Sequence, residues 1–183
     1  MKSAGFSLMI VLAVFVVAGC STVPEKPEAR AVLSAEVKEA VTEFKFKDPS
    51  MESFFNNSYA YAVLPKVVKG ALWVGGAYGK GLVFEQGQQV GYCSMSQATL
   101  GFSFGGEYFR EIIFFRDAAD FNKFKTGQFT FSAQVTGVAV TAGAAAKADY
   151  KAGMAVFVMT DKGLMLDVSL GGQKFNYVPK YTD

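Results

Sequence analysis

The chain has 183 residues, 51% of them apolar and 19% charged, with a formal net charge of +2, 18 Phe, 19 Gly and no His. That length and apolar content suit one domain with a real core and exclude disorder, and the wealth of Phe and Gly favours a sheet-rich interior over a helical bundle. So small a positive excess argues against nucleic acid as a partner. The absence of His removes the usual general base, nucleophile activator and zinc ligand together, so neither enzymatic activity nor a cofactor is expected.

In chain order, Lys2 precedes an apolar run over residues 6–17, which ends in Val17-Ala18-Gly19-Cys20. Residues 1–19 therefore read as an export signal, the run being shorter than the roughly 20 residues that span a bilayer. The ending Val-Ala-Gly-Cys resembles the bacterial lipoprotein signal. That resemblance implies that Cys20 is acylated and becomes the first residue of the mature chain. With Ser21 rather than Asp behind it, it also implies passage to the outer membrane, with the domain facing the periplasm. An ordinary signal peptide or an uncleaved anchor, with a chance cysteine, is the alternative. If Cys20 is acylated, Cys93 is left without a disulfide partner; in the run VGYCSM it reads as a buried thiol with no neighbouring cation to make it reactive.

Residues 21–29 hold two prolines and no apolar periodicity, which suits a tether over 20–30 leading into a domain over 31–183. From residue 31, Leu33, Val37, Ala40, Val41 and Phe44 recur at helical spacing opposite Glu36, Lys38, Glu39 and Glu43, predicting an amphipathic helix over 31–46. Asp48-Pro49 reads as an N-cap opening a short helix that stops at Asn56-Asn57. Short strands are expected next, in YAYAVL, KVVKGALWV and AYGKGLVF, with Gly75-Gly76 as a hinge between the last two. A turn at Gln86-Gly87-Gln88 leads to QVGYCSM, a strand over 99–104, and the buried strand REIIFF. Asp117 then caps a helix, ADFNKFK, that ends at Gly127 with Phe121 and Phe124 inward. Alternating runs follow over 129–143 and 150–160, then LMLDVSL and KFNYV behind the turns Lys162-Gly163 and Gly171-Gly172. Eight to ten short strands with segregated helices make an α+β fold: a curled, partly barrel-like antiparallel sheet, an N-terminal amphipathic helix and one or two further short helices.

Residues 64–84, LPKVVKGALWVGGAYGKGLVF, carry the densest set of signals. As a phosphate loop the stretch fails at both ends, because Val74 stands where the first Gly is needed and Gly81 replaces the magnesium-binding hydroxyl. Its glycines either shape a bulge or corner, or contact a ligand directly. Lys66, Lys69 and Lys80 lie beside Trp73 and Tyr78, a pairing of cations with amphipathic aromatics that suits a lipid headgroup region; solvated strand-edge lysines are the other reading. Among the acids, Glu107 and Glu111 share a strand face, Asp149, Asp161 and Asp167 lie later, and Asp167 interrupts an apolar run. Nothing in their spacing pairs two of them for catalysis, and no cluster suggests a metal.

Residues 59–178 resemble the SYLF domain, a lipid-binding module. The matching pieces are LPKVVKGALWVGGAYGKG, LGFSFGGE, REIIFFRDAADFNKF leading into GQFTF, and KGLMLDVSLGG, in that order. The resemblance implies binding of acidic phospholipid, with Lys66 and Lys69 in the family's Pro-Lys-x-x-Lys-Gly pattern inheriting lipid contact. The acidic N-terminal helix and the absence of an SH3 or FYVE module set this chain apart from eukaryotic members, so their phosphoinositides and actin are not carried over. The expected function is thus an envelope lipoprotein that binds anionic phospholipid or a lipid-like ligand. The alternative is a scaffolding lipoprotein whose partner is another envelope protein.

Overall fold

The structure, a computed structural model, describes residues 21–71, 74–100, 107–127, 138–160 and 172–180. Cys20, Trp73, Asp161 and Asp167 lie outside the described residues, as do the strands expected over 101–104, 129–137 and 164–170. Helix α1 (Pro27–Lys47) begins four residues earlier than its apolar stripe predicts, with Pro at its first turn, Glu28 near its N-terminus and Lys45 and Lys47 in its last turn. The stretch expected as a tether therefore belongs partly to the fold. A 3-10 turn (Pro49–Met51) leads into α2 (Glu52–Asn57).

Seven strands follow among the described residues: β1 (Ala60–Ala71), β2 (Val74–Glu85), β3 (Gln88–Leu100), β4 (Glu107–Phe115), β5 (Val138–Ala139), β6 (Met154–Thr160) and β7 (Gln173–Pro179), with α3 (Ala118–Lys125) after β4. They form one sheet in the order β5-β6-β4-β1-β2-β3-β7, antiparallel except for the β5–β6 pair. The fold is α+β with a curled, open sheet. Its strands are longer than expected: YAYAVL and KVVKGA are one strand bent by a bulge between Val63 and Lys66, where Pro65 breaks the ladder. Gly75 and Gly76 are not the hinge; both lie inside β2, paired with β1 on one side and β3 on the other. The turn after β2 uses Gln86 and Gly87, both at positive φ, as a tight hairpin requires. Asp117 caps α3 by accepting the Asp120 backbone N–H at 3.0 Å, and Gly127 ends it at φ 66°.

Both faces of the sheet are buried. The outer face packs Val63, Leu82, Ile112, Phe114 and Phe157 against Leu33, Val37, Ala40 and Phe44 of α1 and Phe54 of α2. The inner face gathers Leu64, Val67, Met95, Ile113 and Phe115 around Phe121 and Phe124 of α3. Strand β6 is consequently apolar on both sides, Met154, Val156 and Val158 facing in and Ala155, Phe157 and Met159 facing out, so its expected alternation of buried and exposed residues is absent.

The curl is measured by one hydrogen bond. Strands β4 and β7 are four places apart, about 19 Å in a flat sheet at ~4.8 Å per strand. Yet Gln173 Nε2 donates to Glu111 Oε2 at 3.1 Å, and Phe175 reaches Phe124 with ring centroids 5.5 Å apart. The sheet must therefore roll until its β7 edge faces β4 across the interior.

Asp48 ties the helical layer to the loop after β5. Its buried carboxylate accepts from Ser50 N (3.0 Å), Ser50 Oγ (2.6 Å), Gly143 N (3.1 Å) and Ala145 N (2.7 Å). Burial works to raise its pKa, but the bonds from Ala145, Ser50 and Gly143 outweigh it and hold the carboxyl below its ordinary value. Asp48→Ala strands these donors, and a loss of about 2 kcal/mol is expected in denaturant unfolding at pH 7. A loss indistinguishable from zero would show that water replaces the carboxylate.

Candidate lipid-facing groove

Strand pairing decides which of the predicted site residues meet. Lys66 of β1 stands directly opposite Lys80 of β2, and Val68 opposite Tyr78. Paired residues point to the same side, so these four share the outer face beside the first turns of α1, with Lys66 and Val68 exposed, Tyr78 and Lys80 half-buried, and the Tyr78 hydroxyl buried. The register extends the array. Ser94 of β3 lies opposite Lys80 and Ser96 opposite Tyr78, Lys174 of β7 lies opposite Ser96, and Tyr108 of β4 lies opposite Val68.

Lys69 goes elsewhere. It is paired with Ala77, and both share the inner side of the sheet with Val67. A spacing of three along a strand reverses the side chain, so the Pro-Lys-x-x-Lys pattern splits its lysines between the two faces.

Pro24, Ala29, Val32, Leu33 and Glu36 on one side and Pro65, Lys66, Val68, Tyr78 and Lys80 on the other enclose an open groove of about 470 Å³. Its floor is apolar. Val32 (57% exposed), Val68 (50%) and Tyr108 (39%) are three of the four exposed large hydrophobic residues among those described, and all stand in or beside it. The Lys66 Nζ sits 5.2 Å from the Tyr108 ring centroid. Neither Lys66 nor Lys80 makes an ion pair with an acid among the described residues. Two like charges set directly across a strand pair repel; Glu36 on the facing wall is the acid that shares the groove with them, but it is not ion-paired to either lysine, and two cations over apolar ground fit a phosphate or carboxylate head with a hydrocarbon tail. Val68, Tyr108 and Lys174 were not among the predicted contact residues. The outward parity of a strand through Lys66 would have found Val68, whereas Tyr108 and Lys174 needed the cross-strand register.

The acids are placed differently from one another. Asp149 is exposed, and Glu107 begins β4 with its side chain outside the described residues. Glu111 is fully buried on the inner face, next to the buried Cys93 and hydrogen-bonded to Gln173. Burial pushes the Glu111 carboxyl up to about 8 against the smaller opposing effect of the Gln173 bond. The Cys93 thiol is pushed well above its ordinary value, first by burial and then by Glu111. Among the described residues, no three His, Cys, Asp or Glu gather as metal ligands.

The chain is similar to Beta cell expansion factor A of Aeromonas veronii. The two are 30% identical over 150 residues, which cover 81% of this chain and 57% of that relative, so the chain spans little more than half the length of the protein it matches. No family model matches the chain.

Proposed function

We propose that the protein is a non-catalytic, SYLF-like envelope lipoprotein, anchored through Cys20, that binds anionic phospholipid in the groove between α1 and the β1–β2 pair. One observation carries this reading: the Lys66–Lys80 pair, ion-paired to no acid among the described residues, is set at the rim of a largely apolar groove with Val32, Val68 and Tyr108 exposed around it. A volume of about 470 Å³ lies in the range of small-ligand sites, roughly 300–1,000 Å³. The order of SYLF-like segments supports the same reading.

Co-sedimentation of residues 21–183 with phosphatidylglycerol vesicles tests it. Each lysine near an anionic surface contributes about 1 kcal/mol, so Lys66→Ala with Lys80→Ala is expected to weaken binding by about 30-fold, and binding should fall with added salt. Lys69→Ala, on the other face, should cost less than either single change. Binding that is indifferent to anionic lipid content, or equal in the double variant, overturns the proposal.

A further inference from the structure

The residues ahead of α1 are fastened to the sheet beside this groove. Thr22 Oγ1 and Ser94 Oγ share a hydrogen bond of 2.9 Å, and Ser94 is buried on β3 directly opposite Lys80. Pro24 is buried and forms part of the groove wall. Arg30, from the first turn of α1, reaches back to donate Nε to the Pro24 carbonyl at 2.8 Å and Nη2 to the Glu25 carbonyl at 3.4 Å. Ser21 Oγ donates to the Val23 carbonyl at 2.8 Å.

A free tether of nine residues would span about 30 Å and let the domain present any face to its membrane. The fastened segment allows no such reach. Cys20 is two residues from Thr22, at most about 7 Å of chain, and Thr22 is bonded one strand away from Lys80.

We propose that residues 21–26 form a strap that holds the Lys66–Lys80 groove against the same leaflet in which the Cys20 anchor is inserted, so that this face of the domain rests in the headgroups and takes lipid from its own membrane and not from a second one. The proposal rests on the lipid-binding reading above and on acylation of Cys20. Charge complementarity and the point where Cys20 joins the fold, next to Ser21 and Thr22, both direct the groove to that bilayer. The electrostatic gain falls away within a Debye length, about 8–10 Å, so the lysines act only if the strap keeps them this close.

The experiment uses the full-length lipoprotein in phosphatidylethanolamine–phosphatidylglycerol vesicles. A single fluorophore is placed at Val68→Cys on the groove face or at Lys123→Cys on α3, behind the sheet, and is quenched by brominated acyl chains. Cys20 is acylated and Cys93 buried, so only the new thiol labels. Quenching at position 68 is expected to exceed that at 123 at least threefold. Thr22→Val with Arg30→Ala should bring it down toward the level at 123, with unfolding checked to be unchanged; Ser94→Ala removes the Thr22 bond from the other side and should act in the same direction. Fatty-acid labelling that is lost in Cys20→Ala confirms the anchor, and no labelling of the wild-type chain overturns the proposal. Equal quenching at 68 and 123, or quenching at 68 untouched by strap release, also overturns the strap. The lipid reading survives either quenching result if residues 21–183 still sediment with anionic vesicles, and fails separately if they do not.

Discussion

Glu111→Gln will make the protein more stable at pH 8 than the wild type by about 3–5 kcal/mol, and the advantage will shrink to near zero by pH 4.5. The folded protein keeps the Glu111 proton until about pH 8, whereas an unfolded glutamate releases it near 4.5. Between those values the folded state binds more protons than the unfolded one. Stability contributed by the neutral carboxyl is therefore fully present below about pH 4.5, is lost as pH rises through the window, and levels off above 8. Glutamine carries no such titration. Geometry explains why a neutral group is wanted. Glu111 Oε1 and Gln173 Oε1 are both buried acceptors without a hydrogen-bond partner among the described residues. A proton on the carboxyl, or the amide N–H of a glutamine, supplies the donor that this pair lacks. Denaturant unfolding from pH 4.5 to 8.5 reads the effect. Parallel pH profiles for the two proteins would mean that Glu111 ionises freely in the fold, and the cross-interior latch to β7 would then have to be redrawn.

Gly81→Ala is expected to cost about 3 kcal/mol or more. A Cβ there would collide with the Val63 backbone carbonyl oxygen, lie 2.9 Å from the Val63 carbonyl carbon and crowd the Cys93 Sγ at 3.1 Å. The oxygen is part of the β1 backbone just before the bulge at Lys66 and cannot rotate aside, so the two strands must separate. Gly87→Ala supplies the comparison. Its φ of 79° disfavours a side chain, but nothing lies within 4 Å, and a cost of only about 1 kcal/mol is expected. Chemical denaturation at pH 5 distinguishes them. Similar losses at both sites would show that backbone conformation, not close approach, selects glycine at 81. Because the bulge sets Lys66 opposite Lys80, Gly81→Ala should also weaken vesicle binding in whatever fraction remains folded.

Much of the local structure was legible in the residues. The stripe Leu33–Val37–Ala40–Phe44 required a helix with one buried side, Asp48 and Asp117 announced their caps, and Phe121 and Phe124 were readable as the inward side of α3. Cys93 was readable as a core residue from its apolar neighbours, and it is fully buried. Strand boundaries were less legible. Pro65 and the glycine pair at 75 and 76 look like breaks, yet a bulge accommodates the first, and backbone pairing on both sides carries the ladder through the second. Glu107 and Glu111 looked equivalent because alternation predicts a face without telling whether that face meets water or the inside of a roll. Glu111 lies inside.

The groove shows the same division. Lysines near aromatics were visible in residues 64–84, and a period of two already separates Lys66 from Lys69, since odd spacing in a strand points side chains oppositely. Local chemistry alone, then, determined which segments become helix or strand, where the helices are capped and which residue types could meet a lipid, because those depend on neighbours within a turn or two of chain. Only the tertiary structure decided that Lys80 stands across from Lys66, that Val68 and Tyr108 are exposed beside them, that Thr22 is fastened to Ser94, and that Glu111 meets Gln173 inside the curl. Those contacts join residues up to 72 positions apart, and register and curvature, to which no stretch of sequence refers by itself, bring them together.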